Sequence, residues 1–417
     1  MNPTLFSHTT YSLDHDRFQA LLTETENLLI IQDLDGVCME LVQNPLDRAI
    51  DPDYVRAIQA FEGHFYVLTN GEHLGRRGVN GIVEKAFGDP ALVKKQGHYL
   101  PGLAAGGVQW QDCYGNVSHP GVSEAELQFL QFVIVEMGQQ LRQILPNLGM
   151  TRVESLIEAI LLDNVASPTI NLNRAYEPLG DRFPELQQAM HKLMQDLLKA
   201  AEDQGLADAF FVHYAPNLGQ DPNGQDILRP ATFGDSGTTD FQFMIRGGVK
   251  EAGVVALLNR YYYQRTGIYP LGPDFNVRQA PPTLIELQQL ILDHFDLTQM
   301  PLIIGVGDTV TSQVTADGIQ RGGSDRHFLQ LIHNLAKVTD QPHLTVYVDS
   351  SQGELKNRKP LKLAMVNSDI RVVEGPGDPD DPSDPLWINL AFPGGYQEYT
   401  ACIKAAAQGR LLRAGKD

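Results

Sequence analysis

The fold of this chain is decided by the stretch LLIIQDLDGV at residues 28–37. An apolar run of the length of a buried strand is followed directly by Asp33 and Asp35. Because ligands and reactive groups collect at the carboxyl ends of parallel strands, we expect both acids to point into a crevice. Like charges so close together are usually kept where a cation or a shared proton offsets their repulsion. The alternative is that Asp-Gly only marks a turn after the strand.

Composition predicts a protein of more than one domain without a membrane span. The chain has 417 residues, which exceeds one ordinary core and predicts two or three domains. Hydrophobic residues make up 42% of the chain. No run approaches the roughly 20 apolar residues that a membrane helix needs. The net charge of −19 argues against nucleic acid as a partner, because phosphate backbones require basic surface.

The expected location is the cytoplasm. Residues 1–16 contain acids but neither a basic leader nor an apolar segment, so we expect no secretory signal. Cys38, Cys113 and Cys402 are odd in number and lack metal-ligand spacing. This pattern predicts reduced thiols in a reducing compartment.

Two further predicted strands end in polar residues, as the strand before Asp33 does. A second apolar strand at 65–68 ends at Thr69-Asn70-Gly71, and a third at 300–307 ends at Asp308. Lys250 lies at the predicted start of a helix that precedes the third strand. Taken singly, these residues have ordinary explanations: a strand end, a surface lysine, a strand-to-loop transition. Their common order and strand context indicate one site.

A different pattern occupies the interval between the second and third strands. Ser123 and Glu126 form a capping box at the start of a long helix. The other elements predicted there are strands at 159–162 and 168–172, a helix at 184–201, and strands at 209–214 and 241–245. We therefore predict an α/β protein whose doubly wound, Rossmann-like parallel-sheet core (1–120 and 247–417) carries an inserted α/β cap (121–246).

The ordered set resembles the four motifs of the haloacid-dehalogenase-like phosphatases. Those motifs are an Asp-x-Asp, a Thr or Ser at a strand end, a Lys, and an acidic Gly-Asp motif. Here they are matched by Asp33-x-Asp35, Thr69, Lys250 and Gly307-Asp308. The insert at 121–246 looks like the cap of the sugar-phosphatase branch, and the resemblance implies that this cap selects the leaving group.

Elementary chemistry gives the acids distinct roles at a phosphorus centre. Asp33 can attack phosphorus and form an aspartyl phosphate, which divides one difficult displacement into two easier steps. Asp35 can protonate the leaving alkoxide and then deprotonate the hydrolytic water. Several acids and a phosphate dianion cannot share a site uncompensated. We therefore expect Mg²⁺ to bridge Asp33, the backbone carbonyl of Asp35 and Asp308.

The phosphoryl group is expected to bind to donors on two other segments. Lys250 would supply the remaining positive charge. The Thr69 hydroxyl, with nearby backbone N–H groups at Asn70 and Gly71, would donate to the phosphoryl oxygens.

The last motif departs from the family pattern. The family places a second acid four residues after the first, and here that position is Ser312. Asp325, directly before a helical run that starts at Arg326, is our candidate for the displaced acid and metal ligand. This requires a loop insertion within 309–323. The alternative is that Asp325 only caps the helix.

The substrate is expected to be read by the cap. Asn171 and Arg174, after the strand at 168–172, and Arg246, after the last cap strand, are our candidate substrate-binding residues. Each of the two arginines has the alternative of being an ordinary solvated side chain.

Over nearly its whole length, the chain is similar to the cyanobacterial glucosylglycerol-phosphate phosphatases of salt acclimation. Long stretches carry this similarity, among them 28–42, 235–255 and 301–314. It implies hydrolysis of 2-O-glucosylglycerol 3-phosphate to the compatible solute glucosylglycerol, which serves osmoregulation and salt tolerance. It also implies a glucosylglycerol-phosphate synthase as a possible partner.

Two alternatives stay open at this point. The first is a phosphatase for sucrose phosphate, trehalose phosphate or glucosylglycerate phosphate. The second is a catalytically weak sugar-phosphate sensor that regulates the synthase, for which the missing acid at Ser312 is the motive.

Overall fold

The computed structural model describes residues 9–75, 77–315, 318–339, 341–376 and 383–415. Its helices are α1 (His15–Glu24), α2 (Pro52–Ile58), α3 (Val79–Phe87), α4 (Pro90–Gln96), α5 (Glu124–Asn147), α6 (Val153–Ile160), α7 (Asn173–Leu179), α8 (Phe183–Asp203), α9 (Lys250–Thr266), α10 (Leu284–His294), α11 (Arg326–Thr339) and α12 (Gly395–Ala414).

The strands fall into one large sheet, one smaller sheet and three hairpins. They are β1 (Leu28–Gln32), β2 (Phe65–Leu68), β3 (Gly102–Ala104), β4 (Gln109–Gln111), β5 (Val117–Ser118), β6 (Leu161–Leu162), β7 (Thr169–Asn171), β8 (Phe210–Ala215), β9 (Asn217–Gln220), β10 (Asp226–Leu228), β11 (Asp240–Ile245), β12 (Leu302–Gly307), β13 (Thr311–Thr315), β14 (Gly318–Gly322), β15 (Leu344–Val348), β16 (Lys362–Val366), β17 (Asp369–Glu374) and β18 (Leu390–Phe392).

The large sheet has the order β18-β15-β12-β1-β2-β3-β4-β5. It is parallel from β18 to β3 and antiparallel from β3 to β5. From β1 the chain builds outward in one direction, and after the insert it returns to the other side of β1 with β12. This reversal of strand order creates the crevice in which open α/β sheets bind ligands.

Both faces of the large sheet are covered. Side chains of β1 alternate between two hydrophobic clusters, with Leu29 and Ile31 in one and Leu28 and Ile30 in the other. Helices α9, α10 and α11 contribute to the first cluster, and α1, α2 and α12 contribute to the second. A strand buried on both faces must be apolar throughout, as β1 is. The predicted doubly wound α/β core is confirmed.

The smaller sheet lies within the predicted insert. Its order is β6-β7-β11-β8, all antiparallel, and α5 and α8 pack against it. Residues 159–160, which we predicted to be strand, instead end the amphipathic helix α6, and the strand itself is only Leu161–Leu162. The hairpin β9–β10 was not predicted because its polar sequence, rich in Asp, Gly and Gln, lacks alternation.

The insertion predicted within 309–323 is a hairpin formed by β13 and β14, with residues 316–317 outside the described residues. The hairpin reaches the insert, because the Thr311 hydroxyl donates to the Asn217 carbonyl at 2.9 Å. The backbone N–H of Gly323 donates to the Asn217 side chain at 3.1 Å. The segment after β12 is therefore tied directly to the hairpin β9–β10 of the insert.

Two expectations about the whole chain can be compared with the structure. Among the residues it describes, no helix combines the length and the apolar character needed to cross a bilayer. All three cysteines are free, and Cys38 and Cys402 are buried.

Candidate active site

Two strand ends and two helix starts converge on a largely buried group that we call the catalytic floor: Asp33, Asp35, Lys250, Asp308 and Asp325. Asp33 follows β1 and Asp308 follows β12, and these two strands are neighbours in register. The backbone N–H of Asp33 still donates to the Val306 carbonyl at 2.9 Å, so the ladder extends one residue into the site. The two acids are adjacent because their strands are adjacent.

Lys250 joins two of the acids. Its Nζ lies 2.9 Å from Asp33 Oδ2 and 2.6 Å from Asp325 Oδ1. Its side chain is only 2% exposed, although it lies at the first residue of α9, where the helix dipole disfavours a cation. The buried carboxylates account for a lysine in this position.

Asp325 lies in the site, as expected from the sequence. Its Oδ2 accepts hydrogen bonds from the backbone N–H groups of Asp308 and Thr309, both at 2.9 Å. Its carboxylate therefore points to the end of β12 rather than along α11, which disfavours a role as helix cap alone. Because Lys250 occupies Oδ1, both oxygens are engaged by the protein. This favours a positioning role for Asp325 over the direct metal contact that we expected.

Glycine is required at the turn after Asp35. Gly36 has φ of +79°, and a Cβ there would approach Asp308 Oδ2 to 2.3 Å. The Asp-Gly turn and the acidic site are thus one structure, and the two interpretations of the first motif are compatible.

Burial raises the pKa values of two floor carboxyls, those of Asp33 and Asp308. Burial raises the pKa of Asp33 to about 7, even though Lys250 acts to lower it. Burial raises the pKa of Asp308 to about 6, against the lowering effect of Arg358. Burial acts to lower the pKa of Lys250, but Asp325 and Asp33 together raise it above its usual value. Without a further cation, Asp33 and Asp308 therefore bind protons at a higher pH than free aspartate does.

The floor fits a hard divalent cation. Carboxylate oxygens of Asp33, Asp308 and Asp325 lie within 4.8 Å of one another. Asp33 Oδ1 and Asp308 Oδ2 are buried, with no hydrogen-bond partner among the described residues. Buried, unpartnered carboxylate oxygens carry a large desolvation cost that a cation would offset.

The expected phosphate-binding turn lies beside the floor. Thr69, Asn70 and Gly71 all line the same cavity as Asp33 and Lys250. The Thr69 hydroxyl accepts a hydrogen bond from the Gly71 N–H at 3.2 Å. Its own hydrogen has no acceptor in the part of the chain that the structure describes, so it can be donated to a ligand.

The residue after this turn connects it to the insert. The buried Glu72 carboxylate accepts hydrogen bonds from the backbone N–H groups of Val165, Ala166 and Ser167 at 2.6–3.0 Å. Burial raises the pKa of Glu72, and these donors act against that rise. The loop before β7 is therefore held directly against the phosphate-binding turn.

Asp35 is held by an arginine that the sequence did not indicate. Arg48 Nη1 donates to Asp35 Oδ2 at 2.9 Å, and Arg48 also donates to the Arg77 carbonyl. Arg77 Nη1 in turn donates to Asp163 at 3.2 Å. A chain of polar contacts thus runs from the proposed acid/base to the insert.

The insert contributes a second polar surface, the cap wall: Thr169, Asn171, Asp240 and Gln242. Asp240 pairs with Asn171 and Gln242 pairs with Thr169 across β7 and β11, so all four side chains share one face of the sheet. All four line the cavity. Asn171 Nδ2 donates to Asp240 Oδ1 at 2.6 Å, and burial raises the pKa of Asp240 to about 6. Amides and hydroxyls of this kind match a polyhydroxylated ligand.

Two expected substrate-binding residues lie outside the cavity. Strand β7 ends at Asn171 and α7 begins at Asn173, so Arg174 turns out to solvent on the helix. Arg246 donates to the carbonyls of Asp208 and Phe210 at 3.1 and 3.3 Å. It follows the far end of β11, about 20 Å along the strand from the end that lines the cavity. The expectation was wrong in placing these arginines, whereas Asn171 lies where we expected it.

Arg358 is the other site residue that sequence reasoning missed. It comes from the loop between β15 and β16, and its Nη2 donates to the Thr309 hydroxyl at 3.1 Å. Its Nε lies 3.5 Å from Asp308 Oδ2. No motif marks this loop. The cap wall did carry a signal, since Thr169-x-Asn171 and Asp240-x-Gln242 alternate with apolar residues.

Comparison with known proteins decides the family. The family model described as glucosylglycerol-phosphate phosphatase matches residues 27–407. A glucosylglycerol-phosphate phosphatase of Synechocystis sp. is 59% identical over 412 residues, covering 96% of this chain and 97% of that relative. The chain belongs to the glucosylglycerol-phosphate phosphatase family. It is therefore a phosphatase, a phosphoric monoester hydrolase, and the floor is its candidate active site.

Solved structures resemble the phosphatase only distantly. The C-terminal domain of a Candida albicans trehalose-6-phosphate phosphatase is 10% identical, with a TM-score of 0.47, over 96% of this chain and 99% of that one. An Aspergillus fumigatus trehalose-6-phosphate phosphatase is 9% identical, with a TM-score of 0.40, over the same shares of the two chains. The fold of the phosphatase is established by its own strand order.

Proposed function

We propose that this phosphatase hydrolyses 2-O-(glucosyl)glycerol 3-phosphate to glucosylglycerol and phosphate through an aspartyl-phosphate intermediate. The name of the 59% identical relative supports glucosylglycerol phosphate as the substrate, and the 2-O linkage and 3-phosphate position follow from the family resemblance. The observation that carries the mechanism is the buried contact of Asp33 with Lys250 at 2.9 Å, at the end of the central strand. A nucleophile beside a fixed cation is suited to attack on a phosphate dianion.

The first half-reaction transfers the phosphoryl group to Asp33. A carboxylate oxygen of Asp33 attacks phosphorus while the bond from phosphorus to the glycerol oxygen breaks. Asp35 supplies the proton to that leaving oxygen, and glucosylglycerol departs. Lys250 and the Thr69 hydroxyl donate to the phosphoryl oxygens as charge develops on them.

The second half-reaction returns the enzyme to its starting state. Asp35, now ionised, removes a proton from a water molecule that attacks phosphorus. The bond between phosphorus and Asp33 breaks and orthophosphate is released. Arg48, 2.9 Å from Asp35, holds this carboxylate in position between its two proton transfers.

Asp33 and Asp308 would hold the Mg²⁺ ion, with the backbone carbonyl of Asp35 as a further oxygen ligand. Asp325 would position Asp308 and Lys250. When bound, the ion supplies positive charge that neutralises the phosphoryl oxygens and the acids. The unpartnered oxygens of Asp33 and Asp308 support this assignment.

The cap wall would bind the sugar alcohol. Asn171, Asp240 and Gln242 present amide and carboxylate groups in two cross-strand pairs. Gln242 Oε1 is buried without a hydrogen-bond partner in the described structure, so it is available as an acceptor. The cellular role that follows is the last step of compatible-solute synthesis in the cytoplasm, fed by a glucosylglycerol-phosphate synthase.

Phosphate release from a panel of sugar phosphates tests the proposal. We expect 2-O-glucosylglycerol 3-phosphate to give the highest kcat/KM, and turnover to disappear with a chelator and return with Mg²⁺. The comparison substrates are sucrose, trehalose and glucosylglycerate phosphates. A different best substrate would overturn the assignment of substrate, and binding without turnover would favour a sugar-phosphate sensor.

A further inference from the structure

A second cavity adjoins the substrate cavity. The two share Asp308, Thr309 and Arg358 in their walls. The rest of the second cavity is formed by the cap loop that begins at Arg229, by the start of β13, and by the loop that carries Lys359. The mechanism above uses no part of this space beyond the shared wall.

The lining of the second cavity favours an anion. Arg229, Arg358 and Lys359 line it. Arg229 contacts Asp235, Arg358 Nε lies 3.5 Å from Asp308 Oδ2, and Lys359 contacts Glu374 at 2.8 Å. The chain as a whole has a net charge of −19, so a phosphate dianion is repelled by most of the surface. A path lined by three cationic side chains offers such a product N–H donors that most of this acidic surface lacks.

The unusual last motif also lines this space. Thr309, Thr311 and Ser312 lie in its wall. An acid at position 312, where the family pattern places one, would add a negative charge to the same wall. Ser312 removes that charge, and Asp325 supplies the acid from outside the second cavity's lining. The departure from the family motif thus has a local electrostatic consequence.

Arg358 links the two cavities. Its Nε is buried and has no hydrogen-bond partner among the described residues. The nearest carboxylate oxygen, Asp308 Oδ2, lies 3.5 Å away, beyond a strong hydrogen bond. An arginine that lines both cavities and has an unpartnered N–H can bind an oxyanion as it moves from one cavity to the other.

We propose that the second cavity is an orthophosphate site through which the inorganic product leaves, separately from glucosylglycerol in the substrate cavity. This rests on the proposed function, because phosphoester hydrolysis is what supplies orthophosphate. The sugar alcohol leaves along the cap wall, and the dianion passes Arg358 into the second cavity.

The test places a large side chain in the second cavity and measures the release of glucosylglycerol and of phosphate separately. In Ser312→Trp, a large side chain occupies the wall of the second cavity. Val314→Trp is the matched control, two residues further along the same face of β13, where Val314 is 57% exposed and does not line the cavity. A single turnover of ³²P-labelled substrate is followed for glucosylglycerol, free phosphate and enzyme-bound phosphate.

We expect free phosphate to lag glucosylglycerol by about fivefold or more in Ser312→Trp, with the label held non-covalently by the enzyme. The interval between the two products should be short in the wild type and the same in Val314→Trp. Simultaneous release in Ser312→Trp would overturn the proposal. So would label that stays covalently attached after denaturation, because hydrolysis rather than release would then be slow.

A charge variant keeps the test decisive if Ser312→Trp does not fold. Lys359→Gln removes a cation that lines the cavity, and Lys362→Gln removes one that contacts the same partner, Glu374, but lies outside. We expect phosphate release to slow about twofold in Lys359→Gln only. Equal release rates in both variants would refute the exit route. If the wild type itself does not turn over this substrate, the proposed function fails instead.

Discussion

The catalytic floor and the cap wall face the same cavity, yet they are held together by opposite kinds of interaction. The floor is a cluster of charges in which Lys250 joins two carboxylates, and one buried oxygen of a further acid, Asp308 Oδ2, lacks a hydrogen-bond partner among the described residues. The cap wall is a set of amide, hydroxyl and carboxyl groups paired across two antiparallel strands. Buried charges are tightly interdependent, whereas cross-strand polar pairs contribute singly. Substitutions in the floor should therefore affect the chemical step, and substitutions in the wall should affect substrate affinity.

The largest effect is expected at the nucleophile. Asp33→Asn should lower kcat by about 10⁴-fold or more, because an amide cannot form the phosphoenzyme. Calorimetric titration should show that the substrate still binds, since the cap wall is intact. Residual activity above about one per cent of wild type would rule out Asp33 as the nucleophile. It would also contradict the expectation that floor substitutions act on the chemical step and cap-wall substitutions on affinity.

A smaller effect is expected at Asp325, which orients other floor residues. Asp325→Asn keeps the shape but removes the negative charge beside Lys250 and presents an amide to the N–H groups of Asp308 and Thr309. We expect the Mg²⁺ concentration for half-maximal activity to rise by about 10–100-fold, as for other residues that orient metal ligands. The Mg²⁺ dependence of turnover measures this directly. An unchanged dependence would show that Asp325 has no part in the metal site.

The floor should also respond to pH, through Asp33. Burial raises the pKa of Asp33 from 3.8 to about 7, so the metal-free folded protein binds a proton that the unfolded chain does not. That contribution to stability is complete below the unfolded value and is lost as pH rises through about 7. Mg²⁺ should therefore raise the melting temperature more at pH 8 than at pH 5.

Melting curves with Mg²⁺ and with chelator, recorded across this pH range, provide the check. The apparent Mg²⁺ affinity should fall about tenfold per pH unit for each proton displaced. Asp33→Asn is the control, in which the pH dependence of the Mg²⁺ effect should shrink. A Mg²⁺ effect that is independent of pH in the wild type would contradict the assignment of Asp33 to the metal.

The smallest effect is expected in the cap wall. Asn171→Ala should raise KM about two- to tenfold with little change in kcat, the size of one or two hydrogen bonds to a neutral ligand. Arg174→Ala, three residues away on the exposed face of α7, is the matched control and should leave both constants unchanged. If the control raises KM and Asn171→Ala does not, the cap wall is not the surface that reads the substrate.

Sequence patterns alone predicted most of the floor. Asp33, Asp308 and Thr69 each follow an apolar strand, and parallel strands bring their carboxyl ends to one edge whatever the rest of the chain does. The turn at Gly36 could also be predicted, because an Asp-Gly turn depends only on neighbouring residues. The insertion in the last motif was also predictable, because the acid missing at Ser312 had a candidate further along the chain.

Only the tertiary structure decided the roles of residues that meet across different segments. Arg48 contacts Asp35, Arg358 contacts Asp308, and Glu72 accepts from the loop before β7, and none of these contacts has a periodic or motif signal. Arg174 lies outside the cavity because β7 ends at Asn171 and Arg174 is part of helix α7, and Arg246 lies outside because it follows the far end of β11. The sequence by itself determined which groups stand at the strand ends, since strand formation is a local property. Which loops and strands pair around them depends on long-range packing, and so the cap wall, the partner of Asp35 and the second cavity emerge only in the folded protein.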